Sequence, residues 1–172
     1  MTKISIKELT ISASMLALAV AFAVFFHMAG INAAAFSPLH IPVFLTGMVC
    51  GAYYGGVVGA IVPYIAFLLT GGPPVQPPVA VAMSLELLMY GVVCGLVMKT
   101  HKLPQVLNVY TALIAAQVIG RIFGGALFAV LPKLSPMSFA GLFTMYFSGT
   151  LPAIILQLVL IPPIVIAIKK RP

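Results

Sequence analysis

Two charged side chains, Glu86 and Arg121, lie inside long apolar stretches of this sequence. A carboxylate or guanidinium held away from water is costly, so such residues usually pair with each other or line a polar cavity. Gln117 precedes Arg121 by four residues, and in a helix the two would share one face. The residues therefore leave two main interpretations open: an ion pair that locks two helices together, or a ligand-binding site.

Amide, imidazole and aromatic side chains near the ends of the apolar stretches extend this set. Asn32 and Phe36 lie between the first two stretches, and His40 follows them. Gln76 lies in a rigid segment rich in Pro and Gly, while several tyrosines are placed where a flat ligand could stack. The residues predicted to line a ligand site are Asn32, Phe36, His40, Tyr64, Gln76, Glu86, Tyr90, Gln117 and Arg121.

The composition shows what must position these residues. Of 172 residues, 62% are apolar and only 6% are charged, whereas a soluble domain carries roughly 25% charged residues. Such a chain could not cover its surface with polar groups, but a bilayer requires an apolar outer surface. We therefore predict an integral membrane protein with a single transmembrane substrate-binding domain over residues 1–172. This excludes a soluble enzyme and a nucleic-acid-binding protein, despite the net charge of +7.

Six apolar stretches predict the helices of this domain. A helix needs about 20 apolar residues to cross about 30 Å of hydrocarbon. The second stretch is short and rich in Gly, so we expect its helix to be packed inside the protein. The expected fold is all-α, a bundle of six transmembrane helices, at 9–27, 40–53, 56–70, 79–98, 108–131 and 146–168. The first stretch is interpreted as a retained helix, not a cleaved signal peptide.

The basic residues orient this bundle, because cytoplasmic loops carry an excess of Lys and Arg. With the N-terminus inside, only Lys133 falls in an outer loop, and Arg121 lies within a span. The basic residues on the inner side are Lys3, Lys7, Lys99, Lys102, Lys169, Lys170 and Arg171. Both termini are therefore expected in the cytoplasm, with the segments 28–39, 71–78 and 132–145 facing outward over the ligand site.

The sequence lacks the motifs of several catalytic classes. It contains no GxxxxGK[ST] phosphate loop, no HExxH and no GxSxG. Two acidic residues in total exclude a multi-carboxylate metal site, and Cys50 and Cys94 are expected to be buried free thiols. We expect no metal, no covalently bound cofactor and no enzymatic activity. An intramembrane enzyme would need His27, His40 and Glu86 to converge, which the sequence does not motivate.

Small residues recur at a spacing of four along several helices. Such spacing lines one helix face and lets another helix approach closely. The glycine series are interpreted as internal helix packing. In the first helix, Ala13, Ala17 and Ala21 have the same spacing and are predicted to face a partner protein.

Taken together, these residues resemble the substrate-binding (S) components of energy-coupling factor (ECF) transporters. The resemblance covers nearly the whole chain. It is carried by the AxxxA pattern of the first helix, by the run Phe36–Pro74, and by the ending Thr144–Val165. The middle run resembles the group that includes pantothenate and cobalamin binders.

The resemblance implies a multi-pass protein of a prokaryotic cytoplasmic membrane. It would bind a water-soluble vitamin or precursor from outside with high affinity. Its alanine face would dock a transmembrane coupling (T) component, and two cytoplasmic ATPase subunits would hydrolyse the ATP. The only small molecule expected on this chain is then the vitamin itself.

The sequence leaves the vitamin open. Arg121 suits a carboxylate such as that of pantothenate, through charge-assisted hydrogen bonds. Glu86 suits a cationic or amine-bearing ligand, and a mutually neutralised pair suits a large neutral ligand such as a corrinoid. The main alternative function is a self-sufficient secondary transporter driven by an ion gradient, for which Glu86 is the one candidate coupling site.

Overall fold

The structure is a computed structural model of the chain, and it describes residues 5–30, 36–71, 77–100, 103–130, 144 and 149–169. Within these ranges the backbone is helical, with turns and no strands, so the all-α prediction is confirmed. The helices are α1 (Ile6–Met28), α2 (His40–Cys50), α3 (Ala52–Thr70), α4 (Pro77–Lys99), α5 (Gln105–Val130) and α6 (Leu151–Lys169).

Five of these helices, all except α2, are long and apolar enough to cross a membrane. This confirms the predicted helical membrane bundle. The exception, α2, has 11 residues and is therefore about 16 Å long at 1.5 Å per residue. It reaches across roughly half of a hydrocarbon core of about 30 Å. Nine of its residues are buried, as expected for a short helix packed inside the protein.

Helix boundaries differ from the sequence prediction by up to five residues, and two of the differences have an identifiable structural cause. The second and third helices were expected to separate near residues 54–55, but the chain turns at Gly51, directly between α2 and α3. The last helix was expected from residue 146, but it begins at Leu151, after a turn at Gly149 and Thr150. Hydropathy does not change at either boundary, so the backbone conformation and not the apolar pattern sets the helix ends.

The turn at Gly51 depends on glycine. Its φ of 94° and ψ of 175° lie in a region that is open essentially only to glycine, at a cost of about 1–3 kcal/mol for other residues. A Cβ at this position would meet no atom within 4 Å, so the backbone alone carries the penalty. We expect Gly51→Ala to lower the thermal unfolding temperature in detergent.

The matched control for this substitution is Gly125→Ala. Gly125 lies inside α5, and a Cβ there also meets nothing within 4 Å. Because Ala is the better helix former by about 1 kcal/mol, this variant should be as stable as the wild type or more so. Equal unfolding temperatures for the two variants would contradict the proposed backbone constraint at Gly51.

The helices assemble around α2 and α4. Helix α4 packs against α2, α3 and α5, while α2 packs against α1, α3, α4 and α6. The fully buried side chains of this core include Phe44, Leu87, Tyr90, Leu113 and Ile161. Large apolar side chains also lie on the outer faces of the long helices, as expected for surfaces in contact with lipid. The half-length helix α2 is therefore a central element among longer ones.

Candidate functional site

The height of α2 in the bundle defines where a site can form. Ala52, just after α2, packs so closely on Gly95 of α4 that a Cβ at Gly95 would overlap its backbone nitrogen. Gly95 lies about 6 Å from the end of α4 that is predicted to be cytoplasmic, and α4 is about 34 Å long. Subtracting these 6 Å and the length of α2, about 16 Å, from the length of α4 leaves about 12 Å. His40 therefore lies about 12 Å below the outer end of α4. Among the described helices, α2 occupies the bundle centre, and it lies mostly in the inner half.

Five predicted site residues lie at the outer end of α2 or beside it. His40 is the first residue of α2, Glu86 and Tyr90 are one turn apart on α4, and Gln117 and Arg121 are one turn apart on α5. We call these five residues the central polar cluster. They come from three different helices, so their convergence is a property of the fold.

The packing of α4 on α5 brings two parts of the cluster together. These helices are antiparallel, and Cys94 Sγ lies 3.6 Å from the carbonyl oxygen of Ala112. Two turns further out, Gly120 lies against the Tyr90 ring and the Glu86 backbone, and a Cβ at Gly120 would overlap both. Gln117 is one turn from Gly120 and so shares the face of α5 that lies on Tyr90, and Arg121 is the residue after Gly120.

Tyr90 is the residue that connects the cluster. Its hydroxyl donates a hydrogen bond to Glu86 Oε1, one turn earlier on α4. Its ring is stacked on Phe44 with a centroid distance of 4.7 Å and an interplanar angle of 20°. The His40 ring lies on it at 5.4 Å, tilted by 58°. Tyr90 is 1% exposed, so these contacts fix both ring and hydroxyl.

The two intramembrane charges bond to different partners. Glu86 accepts the Tyr90 hydroxyl, whereas Arg121 Nη2 donates to Thr150 Oγ1 at 3.2 Å, directly before α6. The positive charge of Arg121 also acts on Glu86 and on His40. Arg121 thus connects α5 to the start of α6 and supplies positive potential to the cluster. Both sequence interpretations, an ion pair and a ligand-binding site, stay predictions.

The polar atoms of the cluster that are buried without a hydrogen bond to any described residue include His40 Nε2 and Gln117 Nε2. Their side chains are 8% and 5% exposed. More than about 90% of buried polar groups in proteins are hydrogen-bonded, and leaving one unpaired costs about 1–3 kcal/mol. Ser84 Oγ on α4 is likewise buried without a hydrogen bond to any described residue. A polar ligand or ordered water that bonded these atoms would remove this cost.

The remaining predicted site residues lie elsewhere. Phe36 and Tyr64 are 41% and 43% exposed and do not belong to the central polar cluster. The Phe36 ring instead lies 6.0 Å from that of Phe26 on α1. Asn32 and Gln76 lie outside the described residues, as do residues 31–35 of the first predicted outer segment and most of the other two segments.

Two neighbours of the cluster were not predicted from the sequence: Phe44 and Thr150. Phe44 follows His40 by four residues and so shares its helix face, a signal that was available. Thr150 meets Arg121 only because α6 begins beside α5, which no local pattern indicates. Within the described part of the chain, no three His, Cys, Asp or Glu side chains come together as metal ligands.

The predicted partner face is on the outside of the bundle. Ala13, Ala17 and Ala21 are exposed on α1, while Ala19 and Ala23 on its other side are buried. Helix α1 packs against α2 and α3. The alanines thus present a smooth outer surface, available to lipid or to another helix.

Comparison with known proteins gives one result. The family model described as "ECF transporter, substrate-specific component" matches residues 7–168. No curated protein and no solved structure matches the chain significantly.

Proposed function

The chain belongs to the family of ECF transporter substrate-specific components, and we propose that it captures a water-soluble vitamin or vitamin precursor for ATP-driven import. The single observation that carries this proposal is the central polar cluster. It places a carboxylate, a guanidinium, an imidazole and an amide in the middle of a bundle of membrane-spanning helices, and the buried His40 Nε2 and Gln117 Nε2 have no hydrogen bond to any residue that the structure describes.

The position of the cluster favours a ligand that arrives from outside. Helix α2 fills the bundle centre from near the inner end of α4 up to His40, and the cluster lies at its outer end. A ligand resting on the cluster would therefore have α2 beneath it. Pantothenate and cobalamin are the candidate ligands that the sequence suggested.

Energy coupling is assigned to other subunits in this proposal. The chain has no phosphate loop, and family membership implies a T component and ATPase partners. We assign the T-component contact to the exposed alanines of α1, since small residues allow a second helix to approach closely. The chain itself then acts as a binding subunit and not as an enzyme.

The proposal is tested by calorimetric titration of the purified chain in detergent, without ATP or partners. We expect one compound from a panel of vitamins, including pantothenate and cobalamin, to bind with a Kd below about 1 µM, which corresponds to about −8 kcal/mol. No binding by a well-folded sample would contradict it. Uptake by this chain alone in vesicles, driven by a proton or sodium gradient, would instead support the secondary transporter.

A substitution at Tyr90 connects binding to the cluster. Tyr90→Phe keeps the ring that contacts Phe44 and His40 but removes the hydroxyl that bonds Glu86. This hydrogen bond exists with and without ligand, so its own energy cancels in the Kd. Its loss frees the Glu86 carboxylate to move within the site, and we expect the Kd to rise by about tenfold, which corresponds to about 1.4 kcal/mol.

The matched control is Tyr53→Phe, at a ring that is 68% exposed on α3. It should bind like the wild type, because Tyr53 lies at the inner end of its helix, far from the cluster. An unchanged Kd for Tyr90→Phe in folded protein would show that the ligand does not depend on the cluster.

A further inference from the structure

The N-terminus of α2 lies inside the bundle, at a depth that most membrane helices cross in mid-span. Its N-cap residue, Leu39, makes no side-chain hydrogen bond to the first turn. A helix N-terminus carries up to about half a positive charge. At α2 the contribution is smaller, because the His40 N–H donates to the Ser37 oxygen and Pro42 has no N–H. In transporters, interrupted helices direct such ends at anionic substrate groups near the membrane midplane. An anion at this end of α2 is supported only if a neighbouring side chain also lacks a hydrogen-bond acceptor.

Gln117 is such a side chain. An amide nitrogen can only donate, and Gln117 Nε2 is buried with no hydrogen-bond acceptor among the described residues. It lies one turn from Arg121 on the edge of α5 that faces the start of α6, as the Arg121 bond to Thr150 shows. An amide donor and a guanidinium charge are therefore side by side.

His40 has the opposite requirement. Its Nδ1 lies 3.1 Å from the backbone oxygen of Ser37, and a carbonyl oxygen can only accept. Nδ1 therefore carries the proton, which leaves Nε2 of the neutral ring as an acceptor. Nε2 is buried without a partner among the described residues. The missing group here is a hydrogen-bond donor.

We propose that the ligand is a carboxylic acid that also carries a hydroxyl or amide N–H group. Its carboxylate binds Gln117 and Arg121 at the N-terminus of α2, and its N–H or O–H donates to His40 Nε2. This inference rests on the proposed function, since it names the substrate class of the same site. It selects the carboxylate among the three substrate classes that the sequence left open.

The charges of the site fit one negative group. Arg121 contributes +1 and Glu86 −1, and the start of α2 adds at most about +0.5. A carboxylate brings the formal sum to between about −0.5 and −1, whereas a doubly charged phosphate would bring it to between about −1.5 and −2 beside one guanidinium. A neutral corrinoid could offer a carbonyl oxygen to Gln117, but it would bring no negative charge to Arg121. The planar guanidinium also matches the geometry of a carboxylate.

The test compares acids with neutral analogues of the same shape on the purified wild-type chain. Suitable pairs are pantothenate with pantothenyl alcohol, biotin with biotinamide, and nicotinate with nicotinamide. We expect the acid of one pair to bind, and its neutral partner to bind roughly ten- to hundredfold more weakly. The neutral partner is weaker because it lacks a charge-assisted hydrogen bond. Equal affinity within the bound pair would overturn the inference while leaving the proposed function intact.

Two variants locate the carboxylate. Arg121→Gln and Gln117→Met should each weaken the acid by the same tenfold or more and leave the neutral analogue nearly unchanged, so that discrimination is lost. Lys99→Gln, at an exposed lysine on the inner end of α4, is the charge-matched control and should discriminate like the wild type. Full discrimination in folded Arg121→Gln would overturn the assignment. No binding by any acid or vitamin would overturn the proposed function and this inference together.

Discussion

Ala17→Trp is expected to abolish vitamin uptake by the assembled transporter while the purified chain keeps its ligand affinity. Ala17 is exposed on α1, on the side opposite the buried Ala19 and Ala23. A tryptophan there points out of the bundle and disturbs no internal packing. Close helix contacts in membranes depend on small residues, so an indole ring would hold a partner helix several ångströms away. Ala13→Trp, one turn nearer the N-terminus, should act in the same way.

The two readouts for this prediction are separate. Uptake of radiolabelled vitamin is measured in cells or vesicles that contain all subunits, and binding is measured by calorimetry on the isolated chain. Ala126→Trp is the matched control, since Ala126 is an exposed alanine on α5, a helix without the alanine series. It should transport normally. If Ala13→Trp and Ala17→Trp both transport at the wild-type level, the assignment of the partner face is wrong.

The long helices were predictable because each is a continuous apolar stretch of membrane length. For α4 the sequence predicted 79–98 and the structure has Pro77–Lys99. The half-length α2 was not predictable in the same way, since apolar residues run through its end into α3. Its end is set by the conformation of Gly51, and the sequence does not distinguish Gly51 from the neighbouring glycines of the same series. The start of α6 did carry a signal, because Thr150 followed by Leu-Pro is typical of a helix start. The apolar pattern around it obscured this signal.

The central polar cluster was predictable in its members but not in its geometry. Glu86 and Arg121 were identified because charge at membrane depth is costly, and Gln117 because of its helical spacing. What the sequence could not provide is the partner of each group. Tyr90 bonds Glu86 within one helix, but Arg121 bonds Thr150, 29 residues further along the chain. That contact depends on how α5 and α6 pack, which is a tertiary property.

The glycine series were interpreted as helix packing, and the structure explains why they are needed. Gly47 of α2, Gly55 of α3 and Gly91 of α4 meet at one crossing. A Cβ at Gly55 would lie 2.5 Å from the Gly47 Cα atom and 2.9 Å from the Gly91 Cα atom. A Cβ at Gly91 would overlap the backbone of Gly55. Three helices therefore touch backbone to backbone, and no flexible side chain is present that could move aside.

Gly91→Ala is consequently expected to cause a large loss of stability for the addition of a single methyl group. Forcing extra methyl groups into a packed core costs about 1–3 kcal/mol, and more where relaxation is blocked. Here relaxation requires moving α3 or α2 away from α4. We expect a clearly lower thermal unfolding temperature in detergent, with Gly125→Ala as the control at a helix position where the methyl group meets nothing within 4 Å.

The same substitution should also weaken ligand binding, although Gly91 is not a member of the central polar cluster. The crossing fixes the height of α2 against α4, and that height places His40 and Phe44 against the Tyr90 ring. A shift of α2 would therefore separate the His40 acceptor from the donors on α5. Wild-type stability and affinity in Gly91→Ala would mean that the helices tolerate separation there, and that the cluster is positioned by other contacts.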